Sequence, residues 1–208
     1  MKGFLLKDWY MMKRYCRYHL FCVIGFTILS VMSSGNMFFV FYPCLLCGMI
    51  PVTLIGYDER SRWMQYSGTL PCTKAQVVSG KYLIGLFTQL AVLLVMGTAQ
   101  AAKMIAAGGF VPEEFTVLLL LLLIVSTLAS SIALPFVFKL GVEKGRTAYY
   151  VMIGFVCGAS VLASSLFKGQ FGTEIKPDLL LAALAVAGIC IYLFSWYMSI
   201  VFYKKREI

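Results

Sequence analysis

The chain has 208 residues, 61% of them hydrophobic and only 13% charged, with a formal net charge of +9 and seven cysteines. A soluble domain carries roughly 25% charged residues. Here the run 115–138 has no charge at all, and about 20 such residues suffice to cross a hydrocarbon core of ~30 Å. The composition excludes a soluble globular protein in favour of an integral membrane protein, and the odd cysteine count argues against a closed disulfide framework.

The first eighteen residues are patterned. Wound at about 100° per residue, Lys2, Lys7, Lys13, Arg14 and Arg17 fall within an arc of about 140°. Phe4, Leu5, Trp9, Met11, Met12, Tyr15 and Cys16 occupy much of the opposite side. This predicts a helix over residues 1–18 lying in the membrane interface, its basic face toward headgroups and water. Asp8 falls within the apolar arc and so needs a partner or a contact outside the membrane. A basic region followed by an apolar run also has the order of a signal peptide; its length and patterning favour a retained helix.

Apolar runs then predict six transmembrane helices near 19–35, 37–57, 82–102, 115–138, 147–167 and 179–203. The first two are joined by the uncharged turn "SSGN". Pro43, Pro51 and Pro135 bend their spans, which neighbouring helices accommodate. Cys44 and Cys47 form a C-x-x-C inside the second span, but His19 is the only histidine in the chain, so packing is the reading there rather than a metal or redox site.

Between spans two and three stands a charged element, "GYDERSRWMQYSGTLPCTKAQVVSGKYL", residues 56–83. "RSRWMQYS" makes about two helical turns, broken at Gly68. Pro71 disfavours helix at Leu70, so the chain turns there. Thr73 and Gln76 then form a capping box that opens a helix running unbroken into the third span. The expected product over 58–81 is a surface helix, a bend, and a helix that dives back in. An ordinary aromatic-anchored loop is the alternative.

The remaining polar features are sparse. Gln89 and Gln100 either join helices by hydrogen bonds or line a pathway. Glu113 and Glu114 mark the start of the fourth span. Gly154 and Gly158 form a G-x-x-x-G in the fifth, a spacing that lets helices approach closely within the chain or across a dimer. Of the eighteen basic residues all but Lys103, Lys168 and Lys176 fall on one side of this topology. By the positive-inside rule that side, with both termini, is cytoplasmic. Basic loops beside anionic headgroups account for the net charge without nucleic acid.

No phosphate-binding loop, no converging metal ligands and no G-x-S-x-G elbow are present. The sequence is catalytically empty, and any energy it uses must come from elsewhere.

The stretch "YDERSRWMQYSGTLPCTKAQVVSGKYL" resembles the cytoplasmic loop of small bacterial ABC-type-2 exporter permeases: an acidic-Glu-Arg start, an aromatic, a "TLP" turn, and "KY" opening the next span. "LLKDWYMMKR" is similar to the interfacial helix of the same family. The resemblance covers the whole chain in layout and its detail at these two places. It implies a single permease domain over 1–208 in the bacterial cytoplasmic membrane, with a coupling helix in the loop 58–81. It also implies a second, identical or related permease, and a separate ATP-binding cassette subunit that carries the ATP and Mg²⁺. Asp58, Glu59, Arg60, Arg62, Trp63 and Tyr66 become candidates for docking that subunit, with Pro71 fixing the bend. Uncharged spans point to an amphipathic or hydrophobic cargo such as a peptide or antimicrobial. Only about ten residues separate spans five and six, too few for a large outer domain. A channel, immunity factor or assembly factor acting without ATP is the alternative.

Overall fold

The computed structural model describes residues 2–33, 37–69, 73–147, 149–151, 154 and 177–205. It is helical along almost all of that length. The elements are α1 (Lys2–Tyr15), α2 (Arg17–Met32), α3 (Met37–Gly48), α4 (Ile50–Arg60), α5 (Trp63–Ser67), α6 (Lys74–Ala106), α7 (Pro112–Leu140) and α8 (Pro177–Lys205). Among the described residues four helical stretches are long and apolar enough to cross a membrane: Met37–Arg60, Lys74–Ala106, Pro112–Leu140 and Leu181–Lys205. A fifth is reached if α1 and α2 count as one bent pair, and the expected fifth span at 147–167 lies almost wholly outside the described residues.

Local chemistry explains the boundaries. At Cys16 the chain bends by 67° between α1 and α2, as expected where a helix lying across the membrane surface turns into a span. The break between α3 and α4 falls at Met49, with Pro51 in the first turn of α4, where a missing N–H costs nothing. Pro112, Glu113 and Glu114 open α7, placing two carboxylates where the helix dipole favours negative charge. α7 ends at Gly141, whose φ of 87° is open to glycine and strained for other residues. Helix resumes at Val142, turned back on α7. Gly145 permits it, since a Cβ there would lie 2.5 Å from a Val137 methyl and 2.9 Å from its Cα.

Close helix approaches build the bundle. A Cβ on Gly188 of α8 would meet the Thr127 hydroxyl of α7 at 3.0 Å, and one on Gly85 of α6 would meet the Pro51 ring of α4 at 2.9 Å. Tyr82 of α6 fits against α8: its hydroxyl lies 2.7 Å from both the Ser195 and Ser199 hydroxyls, and its ring stacks on Trp196 at 5.5 Å. The Tyr192 hydroxyl donates to the Tyr82 carbonyl at 2.8 Å.

Both described ends of the chain lie at one end of the bundle. The Lys74 ammonium at the start of α6 reaches the Lys204 carbonyl at 3.5 Å, and Lys139 sits over the Phe202 ring at 5.2 Å. At the opposite end Lys103 donates to the Ser30 and Ser33 carbonyls at 2.9 and 2.6 Å, closing the negative end of α2.

The Gly85 contact gives a direct test. Gly85→Ala forces α4 and α6 apart, an overpacking cost of ~1–3 kcal/mol, and lowers the apparent unfolding midpoint in detergent by roughly 3–10 °C. Gly25→Ala, where nothing lies within 4 Å of the new methyl, leaves the midpoint unchanged or slightly higher.

Candidate functional site

At the end of the bundle that holds α5, three helices meet around four charges. Asp8 and Lys7 come from α1, Asp58 from the last turns of α4, and Lys81 from the second turn of α6. The Lys81 ammonium contacts Asp8 Oδ1 and Asp58 Oδ2, each at 2.6 Å. Lys7 contacts Asp58 Oδ1 at 2.7 Å and Asp8 Oδ1 at 3.3 Å. Asp8, Asp58 and Lys81 have side chains only 3% exposed, and Lys7 is 23% exposed. Two carboxylates and two ammonium groups sum to zero charge, and each carboxylate faces both cations. Burial would be prohibitive for any one of them alone.

The quartet corrects the expectation for α1. Asp8 has the partner it needs. Lys7, placed on the water-facing basic arc by its angle, instead points into the protein. Exposure is retained by Lys13, Arg14 and Arg17 at the end of α1 and just beyond it.

The charges also explain how the element 58–81 is held. Asp58 and Lys81 stand at its two ends, and their contact closes it like a clasp. Inside the clasp α5 is a single helical turn and a little more, shorter than the two turns expected from the sequence. It starts after Arg62, held at φ 54° in the left-handed region, and ends at Gly68. Thr73 and Gln76 make the predicted capping box: the Gln76 N–H donates to the Thr73 hydroxyl at 3.3 Å, and the Thr73 N–H donates to Gln76 Oε1 at 3.1 Å. α6 then runs unbroken for 33 residues, about 50 Å. That is well over a bilayer core, so its first turns have length to project beyond one.

Trp63 ties α5 to α1. Lys7 lies 4.3 Å from the centre of its ring, and Phe4 meets it edge-on at 6.4 Å. A cation–π contact of this kind is worth ~0.5–2 kcal/mol. Tyr66, 5.4 Å from Trp63, is 57% exposed, and Arg60 and Arg62 are exposed as well. On the other flank the Val142 N–H, at the start of the helix after Gly141, donates to Glu59 Oε2 at 3.2 Å. Tyr15 stacks on Tyr57 at 4.3 Å.

The docking candidates therefore divide. Arg60, Arg62 and Tyr66 present surface. Trp63 is half-buried against α1, Asp58 is internal, and Glu59 accepts from the Val142 N–H. Pro71 lies outside the described residues. Gln89 and Gln100 both face neighbouring helices: Gln89 Nε2 donates to the Ser126 carbonyl at 2.8 Å and to the Ser130 hydroxyl, and Gln100 Nε2 donates to the Ser30 hydroxyl at 2.9 Å. Gly154 is exposed, with nothing within 4 Å of where a Cβ would stand, and Gly158 lies outside the described residues.

Comparison with protein families gives a match to the model described as ABC-2 family transporter protein over residues 3–204. The chain belongs to that family, and is a multi-pass membrane subunit of an ABC transporter. Comparison with curated proteins and with solved structures gave no match.

Removing one member of the quartet leaves a buried charge without compensation. Lys81→Met costs about 3–5 kcal/mol and lowers the unfolding midpoint by roughly 10 °C. Adding Asp8→Asn restores neutrality around Lys7 and Asp58 and recovers a substantial part of the loss. Thermal unfolding of the four proteins in one detergent gives the cycle; additive losses would show that Asp8 and Lys81 are not coupled.

Proposed function

We propose that this ABC-2 family chain is the permease subunit of an ATP-driven exporter. It carries an amphipathic or hydrophobic substrate out across the bacterial cytoplasmic membrane by alternating access, while ATP and Mg²⁺ are bound by a separate subunit. The family implies such an ATP-binding partner. The observation that carries the docking site is the clasped element 58–81: a short exposed helix whose two flanking helices are fastened to each other and to α1 by buried charge. The basic end of the bundle, with both termini, faces the cytoplasm by the positive-inside rule.

Coupling requires that a ligand's preference for one state reach the transport path. ATP binding draws two ATP-binding subunits together, and α5 follows the one it is seated on. Because Asp58 and Lys81 hold the base of α5, displacement of α5 moves α4, α6 and α1 together rather than being lost in loop motion. The working unit is a dimer of permeases, with the fifth span carrying Gly154 and Gly158 as a close-approach face. Gln89 and Gln100 serve here as helix fasteners. The uncharged spans suit a hydrophobic peptide or antimicrobial better than a free ion.

The contact surface on α5 consists of Arg62 and Tyr66, with Arg60 at its edge. Tagged chain purified in mild detergent from its native host brings an ATP-hydrolysing subunit with it. Arg62→Glu with Tyr66→Ala abolishes that recovery while leaving the unfolding midpoint within a few degrees of wild type. A well-folded wild-type preparation without ATPase activity would overturn the docking assignment. Failure of any amphipathic peptide to stimulate ATPase in the intact complex would remove the peptide as cargo.

A further inference from the structure

We propose that α1 and α6 hold one anionic phospholipid, drawn from the leaflet in which α1 lies. This rests on the bundle spanning a membrane and is independent of where the ATP-binding subunit docks.

The acyl site is a groove of about 590 Å³ between Leu5, Leu6 and Trp9 of α1 and Leu83, Leu86 and Phe87 of α6. Leu86 also lines a second cavity of about 220 Å³, enclosed by Leu90 and Leu93 of α6, Leu123 of α7, and Ile189 and Leu193 of α8. Leu83, Leu86, Phe87, Leu90 and Leu93, spaced three and four residues apart, follow one face of α6 past both cavities. From Leu83 to Leu93 the helix rises about 15 Å, half of a ~30 Å hydrocarbon core. An apolar track one leaflet deep, starting beneath an interfacial helix, has the dimensions of a lipid chain.

The polar atoms along the track are already engaged within the protein. Gln89 donates to the Ser126 carbonyl and the Ser130 hydroxyl, Tyr192 donates to the Tyr82 carbonyl, and Ser126 and Thr127 donate to carbonyls of their own helix. What the deep end offers an occupant is hydrocarbon.

The shallow end offers positive charge. The Lys13 ammonium sits 5.2 Å from the centre of the Trp9 ring, over a residue that lines the groove. Arg17 donates to the Lys13 carbonyl at 3.1 Å, which keeps a second basic side chain on this flank. Asp8, the acidic residue of α1, is buried and neutralised by Lys7 and Lys81. A phosphate at the mouth therefore meets cations unopposed by an exposed carboxylate of α1.

Native mass spectrometry of the full chain, equilibrated with equal amounts of dioleoyl phosphatidylglycerol and dioleoyl phosphatidylcholine, tests this. One phosphatidylglycerol per chain survives detergent washing, with a preference of about tenfold. Lys13→Gln reduces that preference about fivefold, the effect expected of one nearby basic residue. Leu86→Trp and Leu6→Trp block the groove from opposite walls, and each removes the bound lipid. A wild-type unfolding midpoint in phosphatidylcholine shows that a blocked variant is folded. Glycerol phosphate, which has the headgroup chemistry without chains, does not compete. Equal retention of the two lipids, lipid undiminished in both folded blocked variants, competition by glycerol phosphate, or dissociation of a lipid-free dimer by Leu86→Trp would each overturn the proposal.

Discussion

Four charges of zero sum, enclosed where three helices meet, constrain this end of the protein. Each ion alone would be expelled from such an interior, because the desolvation penalty is several kcal/mol per group. Together they are held only while α1, α4 and α6 keep their relative positions. Asp8 cannot leave without exposing or stranding Lys81, and Lys81 cannot shift without disturbing Asp58 as well. The three helices therefore behave as one body at this end, although they are separated by long stretches of chain.

α6 extends that body across the bundle. Lys81 and Tyr82 are consecutive and so point about 100° apart on a helix. Lys81 faces the aspartates of α1 and α4, and Tyr82 faces the serines and Trp196 of α8. One residue pair links both sides. The capping box fixes where α6 begins, so the stretch between the cap and Lys81 is helix rather than frayed loop. A force applied to α5 would then meet a stiff element within a few residues. In the proposed transport cycle this stiffness is what carries motion from a docked subunit into the spans.

Features set by local chemistry were legible in the sequence. The capping box needs only Thr73 and Gln76 three residues apart, the start of α7 needs Pro-Glu-Glu, and the apolar runs mark where α2, the α3–α4 pair, α6, α7 and α8 lie. The long-range pairing was only half legible. Asp8 stood out because a carboxylate in an apolar arc needs a partner or a contact outside the membrane, but nothing nearby in sequence says that its shorter contact is to Lys81, 73 residues away. Lys7 misled for a related reason. Helical angle shows which residues share a face, but not which faces a neighbouring helix will cover, and a helix lying across the end of a bundle is covered on more than one. Asp58 and Glu59 looked like surface for the same cause: a charged run reads as solvated until the partners that neutralise it are in place. The paired roles of Gln89 and Gln100 as fasteners required knowing that the Ser126–Ser130 turn and Ser30 lie opposite them.

Why charge rather than apolar packing should fasten α1 follows from its surroundings. Between helices in lipid there is no hydrophobic driving force, because a lipid tail is as apolar as leucine. An α1 held only by Leu, Trp and Phe could slide along α6 by a turn and exchange side-chain contacts for lipid contacts at little cost. The quartet removes that freedom, since a displaced register leaves four ions mismatched. It need not add net stability to do so, because the desolvation of four buried ions offsets much of their mutual attraction. α1 also packs through Phe4 on Trp63, Tyr15 on Tyr57 and the buried Met12, so apolar contacts hold it close while the charges fix its register. A helix fixed in that way keeps one register and, in the proposed cycle, moves with α4 and α6 when α5 is displaced.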